Sequence, residues 1–213
     1  MSDSGPHRIR SSADRIAAAN ARFDAYKGPN ALVEGIGQEV VLIMLDGRAP
    51  EALDADEFSM LLKGYNWTSA KETAFLLAKQ AVRRWGDRFV PDLACELQRA
   101  YLWKDLELIA RADELIAEGL GPAWKWRLFK LHRLLSEATE PSEEDWAPGD
   151  RIVNEEALDA AARELQLALE TAPRSAWGSF AEISVWLAPI FHQPKFAGLR
   201  ERMRIVCDAS AND

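Results

Sequence analysis

The histidines and cysteines are the side chains in this sequence best suited to metal or acid–base chemistry. The histidines are His7, His132 and His192, and the chain contains neither HExxH nor ExxH, the spacings that place two metal ligands on one face of a helix. The two cysteines, Cys95 and Cys207, form no CxxC motif and no Cys/His cluster. We therefore expect no metal site, no cofactor and no disulfide framework.

Three glutamates are the other candidates for general acid–base catalysis. Glu107, Glu114 and Glu118 lie on or near one helical face, where neighbouring like charges would raise the pKa of one carboxyl. A helix face in contact with water has the same pattern, and we favour that interpretation. His132 lies in a basic helix, where we favour a surface or boundary position over a general base. The chain has no GxSxG or P-loop motif, and we favour a non-enzymatic protein.

Two glycines have the spacing of part of a phosphate-binding loop. Gly35-x-Gly37 lacks a preceding strand, and Val40 occupies the place of the third glycine. We favour a structural role, in which small residues allow two helices to approach closely. The following apolar run, Val40 to Leu45, fits a buried helix or a buried strand, and we favour the helix because no second strand is evident.

A basic, aromatic segment has the composition of a single-stranded nucleic-acid surface, where bases stack on aromatic rings and cations hold phosphates. Its cations and rings are Lys125, Arg127, Lys130 and Arg133 with Trp124, Trp126 and Phe129. The alternative, which the net charge of −8 favours, is that these cations pair with the facing acidic helix and with the acidic linker, while Trp124 belongs to the core. Trp126 lies off the helical stripe of Trp124, so it is either the second edge of the core or an exposed anchor for a partner.

The elements that position these residues form a helical hairpin over residues 103–137. An acidic amphipathic helix is followed by a Gly-Leu-Gly-Pro corner and then by the basic helix. Two amphipathic helices joined by so short a corner pack antiparallel. Their outer faces carry opposite charge, so each helix can neutralise the other.

Apolar residues recur at helical spacing along the rest of the chain, which predicts an all-α fold. We expect antiparallel helical hairpins packed as an irregular bundle or a short α-solenoid. Residues 139–152, which are acidic and rich in proline, are predicted to be a linker. The predicted organisation is a disordered N-terminus (1–10), a main helical domain (11–138), this linker, a smaller helical unit (153–206) and a tail (207–213).

One helix carries a partial repeat signature. Ala161, Leu165, Ala168 and Pro173 resemble the second-helix half of a tetratricopeptide repeat, in which small residues let two helices nestle and a proline ends the repeat. The resemblance implies a helical-repeat protein whose concave surface binds another protein and which has no catalytic activity.

Composition limits the possible environments. The longest apolar run is far shorter than the roughly 18 residues of a spanning helix, and the N-terminus lacks an apolar signal segment, so we expect a cytoplasmic protein outside the membrane. The net charge of −8 makes nucleic acid an improbable partner. Arginine outnumbers lysine, which fits a bacterial origin.

These observations support two leading functional hypotheses. The first is a non-enzymatic protein-interaction module (an adaptor, regulator or toxin-neutralising partner) that attracts a basic partner with its acidic surface. Its predicted partner-binding residues are Trp126, Phe129, Lys130, Arg133, Trp103 and Tyr101. The second is a small-molecule or enzymatic site in an aromatic pocket between helices, using Tyr65, Trp67, Tyr101 or Trp103. Nucleic-acid binding through residues 125–133 is the third.

Overall fold

A computed structural model describes residues 11–26, 33–102, 107–141 and 148–210. Apart from one short β-hairpin, the regular structure in these ranges is helical, which confirms the predicted all-α fold. No helix in these ranges is both long enough and apolar enough to cross a bilayer. The chain divides into two compact units, residues 1–96 and residues 97–213.

The first unit is a set of successive helices, of which the first four pack in order, each against the next. They are α1 (Ser12–Ala25), α2 (Val33–Leu45), α3 (Ala55–Asn66), α4 (Lys71–Trp85) and the beginning of α5 (Val90–Leu102). Capping boxes start α1 at Ser11 and α3 at Asp54. Residues 40–45 belong to α2, which confirms the helix over the strand.

The close approach of α2 and α3 explains why position 37 is a glycine. A Cβ atom added at Gly37 would lie 2.7 Å from the carbonyl oxygen of Gly64, whereas one added at Gly35 would meet nothing within 4 Å. Gly37 is therefore a packing residue at a helix crossing, so the structural interpretation is confirmed for Gly37 and not for Gly35.

A buried ion cluster ties α1 to α3 in the first unit. Arg15 donates through Nε to Glu57 Oε1 at 2.9 Å, and Arg48 Nη2 donates to the same oxygen at 2.9 Å. Burial alone would raise the pKa of Glu57, but the hydrogen bonds from Arg48 and Arg15 outweigh it and lower that pKa to about 2. Glu57 is therefore a structural carboxylate that stays ionised at neutral pH.

The second unit begins with the end of α5 and is built around α7, which packs against both α6 and α8. Its elements are α6 (Leu108–Ala117), α7 (Ala123–Ala138), β1 (Thr139–Pro141), β2 (Pro148–Ile152), α8 (Glu155–Thr171), α9 (Trp177–Ile183), α10 (Ala188–Phe191) and α11 (Ala197–Ser210). The predicted hairpin is present as α6 and α7, and Gly119 and Gly121 in its corner have positive φ angles. Leu135, Leu158, Leu165, Phe180 and Ile190 are fully buried in the core.

The predicted boundary at residues 139–152 lies within this unit. Strands β1 and β2 pair antiparallel, with Thr139 opposite Ile152. The buried Thr139 hydroxyl donates to the carbonyl oxygen of Leu135 at 2.9 Å and accepts from the amide of Gly149 at 3.0 Å. These bonds attach the hairpin to the end of α7, so its described residues are part of the fold rather than a linker. The structure divides the chain at residue 96 instead.

Candidate functional site

The second unit contains a cavity of about 450 Å³ with a largely aromatic lining. Its residues come from the end of α5, from one face of α7, and from α9 and the turn that follows it. They are Gln98, Tyr101, Leu102, Trp124, Lys125, Leu128, Phe129, His132, Ser179, Glu182, Ile183 and Trp186. Ligand sites in proteins have this volume and this mixture of many apolar and few polar groups. We refer to it below as the aromatic cavity.

Helical spacing explains how α7 supplies nearly half of the lining. Trp124, Leu128 and His132 follow each other at intervals of four residues, as do Lys125 and Phe129. Residues four apart lie on the same helical face, so these side chains form two adjacent rows. Two residues outside these rows, Trp126 and Leu131, flank them on either side and are buried in the core.

Burial strongly shifts the pKa of His132, which lines the aromatic cavity. Its imidazole lies edge-on between two rings, with centroid separations of 4.9 Å from Tyr101 and 4.2 Å from Trp186. Burial removes water from the charged form and lowers the pKa of His132 from 6.5 to about 4. The imidazole is therefore neutral at physiological pH.

The Nε2 atom of His132 has an unsatisfied hydrogen-bonding capacity. It is buried, and it has no hydrogen-bond partner in the described part of the chain. Buried polar atoms nearly always have a partner, because an unpaired one costs free energy. A molecule in the aromatic cavity with a hydroxyl, amide or carboxyl group would satisfy this atom.

Two opposite charges also line the cavity. Lys125 lies on α7 and Glu182 on α9, and no ion pair joins either side chain to another described residue. The other three cations of α7 are neutralised within the unit. Arg127 and Lys130 pair with Glu164 at 2.8 and 2.5 Å, and Arg133 pairs with Glu137 at 3.0 Å.

These ion pairs remove most of the cationic surface predicted for nucleic acid. Lys130 is buried and also pairs with Asp113 of α6 at 2.6 Å. A phosphate would have to displace a carboxylate from each of these side chains. The facing acidic helix supplies Asp113 as predicted, whereas the partner shared by Arg127 and Lys130 is Glu164 of α8, which the sequence does not single out.

The predicted partner-binding residues are found in three different environments. Tyr101 and Phe129 are half-buried and line the aromatic cavity. Trp126 is fully buried and donates through Nε1 to the carbonyl oxygen of Leu120 at 2.6 Å, so it is the second edge of the core and not an exposed anchor. Lys130 and Arg133 are held in ion pairs, and Trp103 lies outside the described residues.

Two further aromatic residues of the pocket hypothesis lie in the first unit. Trp67 packs against Phe23 and Tyr26, with centroids 4.8 and 5.6 Å apart, and Tyr65 is half-buried at the end of α3. Neither lines the aromatic cavity. Of the residues named for a pocket, the structure therefore places Tyr101 there.

The structure adds cavity residues that the sequence does not single out. Trp186, Ser179 and Glu182 lie more than 45 positions from His132 and share no motif with it. The aromatic character of Trp186 is the one available signal, and helical periodicity assigns that residue to a core stripe. Among the described residues, no group of three His, Cys, Asp or Glu side chains has the arrangement of a metal site.

Comparison with known proteins identifies no relative. No protein-family model matches the chain, and neither the curated proteins nor the solved structures contain a significant match. The resemblance of residues 161–173 to a tetratricopeptide repeat therefore stays a prediction.

Proposed function

We propose that this protein binds a small aromatic molecule in the aromatic cavity of its second unit. The observation that carries the proposal is the buried Nε2 atom of His132, which has no partner among the described residues and lies among the rings of Tyr101, Trp124, Phe129 and Trp186. An apolar wall with one orienting polar group is the usual composition of a small-molecule site. Stacking or edge contacts with aromatic rings would supply most of the binding free energy.

Binding is a better match than catalysis for the chemistry of His132. An imidazole with a pKa of about 4 is a weak base at neutral pH, since efficient general bases have a pKa near the working pH. The same neutral imidazole serves well as a hydrogen-bonding partner. We therefore propose a ligand-binding protein, such as a sensor or carrier, and not an enzyme.

A titration with 2-phenylethanol tests this function. The probe has one aromatic ring and one hydroxyl group for His132 Nε2, and a ligand this small should bind in the millimolar range. In the ¹⁵N-labelled full-length protein, the indole N–H resonances of Trp124 and Trp186 should shift saturably with one shared midpoint. Shifts that are absent, or that stay linear at every tryptophan, would contradict the proposal.

A matched pair of variants tests whether the probe binds in the aromatic cavity. Ser179 is half-buried in the cavity lining, whereas Ser175 is exposed four residues earlier. Ser179→Phe should fill the cavity and abolish the shifts, and Ser175→Phe should leave them unchanged. Circular dichroism of both variants would confirm that the helices are intact. Equal binding by a folded Ser179→Phe protein would exclude the aromatic cavity as the site.

A protein-interaction module is the second candidate, and the exposure of Leu102 favours it. This leucine lines the aromatic cavity with 60% of its surface exposed, so a partner could insert an aromatic side chain beside it. A partner that the wild type retains should be lost by Leu102→Asp and kept by Leu76→Asp, which alters a leucine 52% exposed in the first unit. Retention by Leu102→Asp would reject this second candidate.

A further inference from the structure

The charges of the aromatic cavity carry an inference about the class of ligand, and this inference rests on the proposed function. Lys125 and Glu182 line the same cavity from two different helices. They have opposite charge, yet they form no ion pair with each other or with another described residue. Elsewhere in this unit, opposite charges on different helices do pair, as Arg127 and Glu164 do at 2.8 Å.

We propose that the ligand is zwitterionic, with an aromatic body and both an anionic and a cationic group, as in an aromatic amino acid. Its carboxylate would be placed near the Lys125 ammonium and its ammonium near the Glu182 carboxylate. The aromatic body would lie among Trp124, Phe129 and Trp186. Glu182 is exposed and Lys125 is half-buried, so water solvates both in the free protein. A ligand with both charges would pair with both side chains, whereas a singly charged ligand would pair with one.

The electrostatic setting favours such a ligand over a simple anion. The whole chain has a net charge of −8, which repels anions at long range. A zwitterion has no net charge and is not repelled, and its two charged groups interact at short range with Lys125 and Glu182. His132 adds a neutral hydrogen-bonding atom to the cavity lining and no third charge.

Four probes with the same phenyl body separate the contributions of the two charges. They are 2-phenylethanol (neutral), 2-phenylethylamine (cationic), 3-phenylpropanoate (anionic) and L-phenylalanine (zwitterionic). Each partly exposed charge pair should tighten binding by about twofold to fivefold. L-Phenylalanine should therefore have the lowest Kd of the four in the NMR titration of the full chain.

Substituting Lys125 and substituting Glu182 should weaken the binding of different singly charged probes. Lys125→Met keeps the aliphatic stem and should weaken L-phenylalanine and 3-phenylpropanoate but not 2-phenylethylamine. Glu182→Gln should weaken L-phenylalanine and 2-phenylethylamine but not 3-phenylpropanoate. Lys63→Met and Glu156→Gln change exposed side chains that do not line the cavity, and they should leave all four Kd values unchanged.

The outcomes distinguish this inference from the proposed function. If 2-phenylethanol binds and L-phenylalanine binds no tighter than both singly charged probes, the zwitterionic ligand is rejected and the aromatic cavity remains a binding site. A preference for 2-phenylethylamine alone or for 3-phenylpropanoate alone also rejects it, in favour of a cationic or an anionic ligand. If none of the four probes binds, both the proposed function and this inference are wrong.

Discussion

The imidazole of His132 and the indole of Trp186 lie with their ring centroids 4.2 Å apart, at an interplanar angle of 64°. This edge-on contact joins α7 to the turn after α9 across the aromatic cavity. It holds the imidazole in an apolar environment, and Nε2 is buried without a hydrogen-bond partner among the described residues. Burying this atom without a partner costs stability, and we propose that a bound ligand supplies the missing hydrogen bond.

His132→Phe should separate stability from binding. Phenylalanine keeps an aromatic ring between Tyr101 and Trp186 and removes the unpaired nitrogen, so the free energy of unfolding should rise by about 1 kcal/mol. The affinity for 2-phenylethanol should fall, since the hydroxyl group loses its partner. Urea denaturation and the NMR titration measure the two quantities.

The matched control for this variant is His192→Phe. His192 is exposed and does not line the aromatic cavity, so its substitution should change neither quantity appreciably. A His132→Phe protein that is less stable than the wild type and binds 2-phenylethanol equally well would mean that the imidazole has a purely structural role.

Stability should also depend on pH through His132. The folded pKa of about 4 lies below the ordinary value of 6.5, so between these values the unfolded chain binds more protons than the folded one. Stability is therefore complete above pH 6.5 and falls as the pH drops towards 4, by an amount on the order of 3 kcal/mol. Denaturation of the wild type and of His132→Phe at several pH values should show a weaker dependence in the variant; identical profiles would contradict the low pKa.

Glu57 should make the stability of the first unit depend on pH, over a lower pH range than His132 does. Its pKa falls from 4.5 to about 2, so its stabilising effect is present above pH 4.5 and is lost as the pH drops towards 2. Glu57→Gln at neutral pH leaves the buried Arg15 without its carboxylate and should cost about 3 to 5 kcal/mol.

An exposed ion pair in the same unit is the control for Glu57. Glu39 pairs with Arg22 at 3.1 Å, and both side chains are at least half exposed. Glu39→Gln should change the free energy of unfolding by less than about 1 kcal/mol. Equal effects of the two substitutions in urea denaturation would show that the Glu57 cluster contributes no more than a surface pair.

Two glycines of α2 should respond in opposite directions to the same substitution. Gly37→Ala places a methyl group 2.7 Å from the Gly64 carbonyl oxygen and should destabilise the first unit by about 1 to 3 kcal/mol. Gly35→Ala meets no atom within 4 Å and should stabilise the helix by up to about 1 kcal/mol. Thermal denaturation of both variants checks the sign, and a destabilised Gly35→Ala protein would contradict the packing described here.

Local sequence patterns predict the helices well because their causes are local. The capping boxes at Ser11 and Asp54 need contacts over three residues, and the α6–α7 hairpin follows from two amphipathic stripes and a short corner. The burial of Trp126 has a non-local cause. Helix α7 packs on α6 and on α8, so more than one of its faces is buried, and a single stripe headed by Trp124 does not describe it.

The candidate site is harder to predict because it is assembled from distant segments. Tyr101, His132 and Trp186 come from α5, α7 and the turn after α9, and no spacing between them signals contact. Tyr101 and Phe129 can be selected from composition, but the low pKa of His132 depends on burial that only the packed helices create. The hairpin at residues 139–152 is missed for a similar reason, since Thr139 is held by bonds to Leu135 and Gly149.

The side-chain ¹⁵N resonance of His132 Nε2, followed during titration with 2-phenylethanol, reports whether a ligand in the aromatic cavity bonds to this atom. If the aromatic cavity binds the probe and its hydroxyl group bonds to this atom, the resonance should shift saturably with the same midpoint as the indole N–H of Trp186. A resonance that stays unchanged up to the solubility limit of the probe, with an equally unchanged Trp186, would contradict the account.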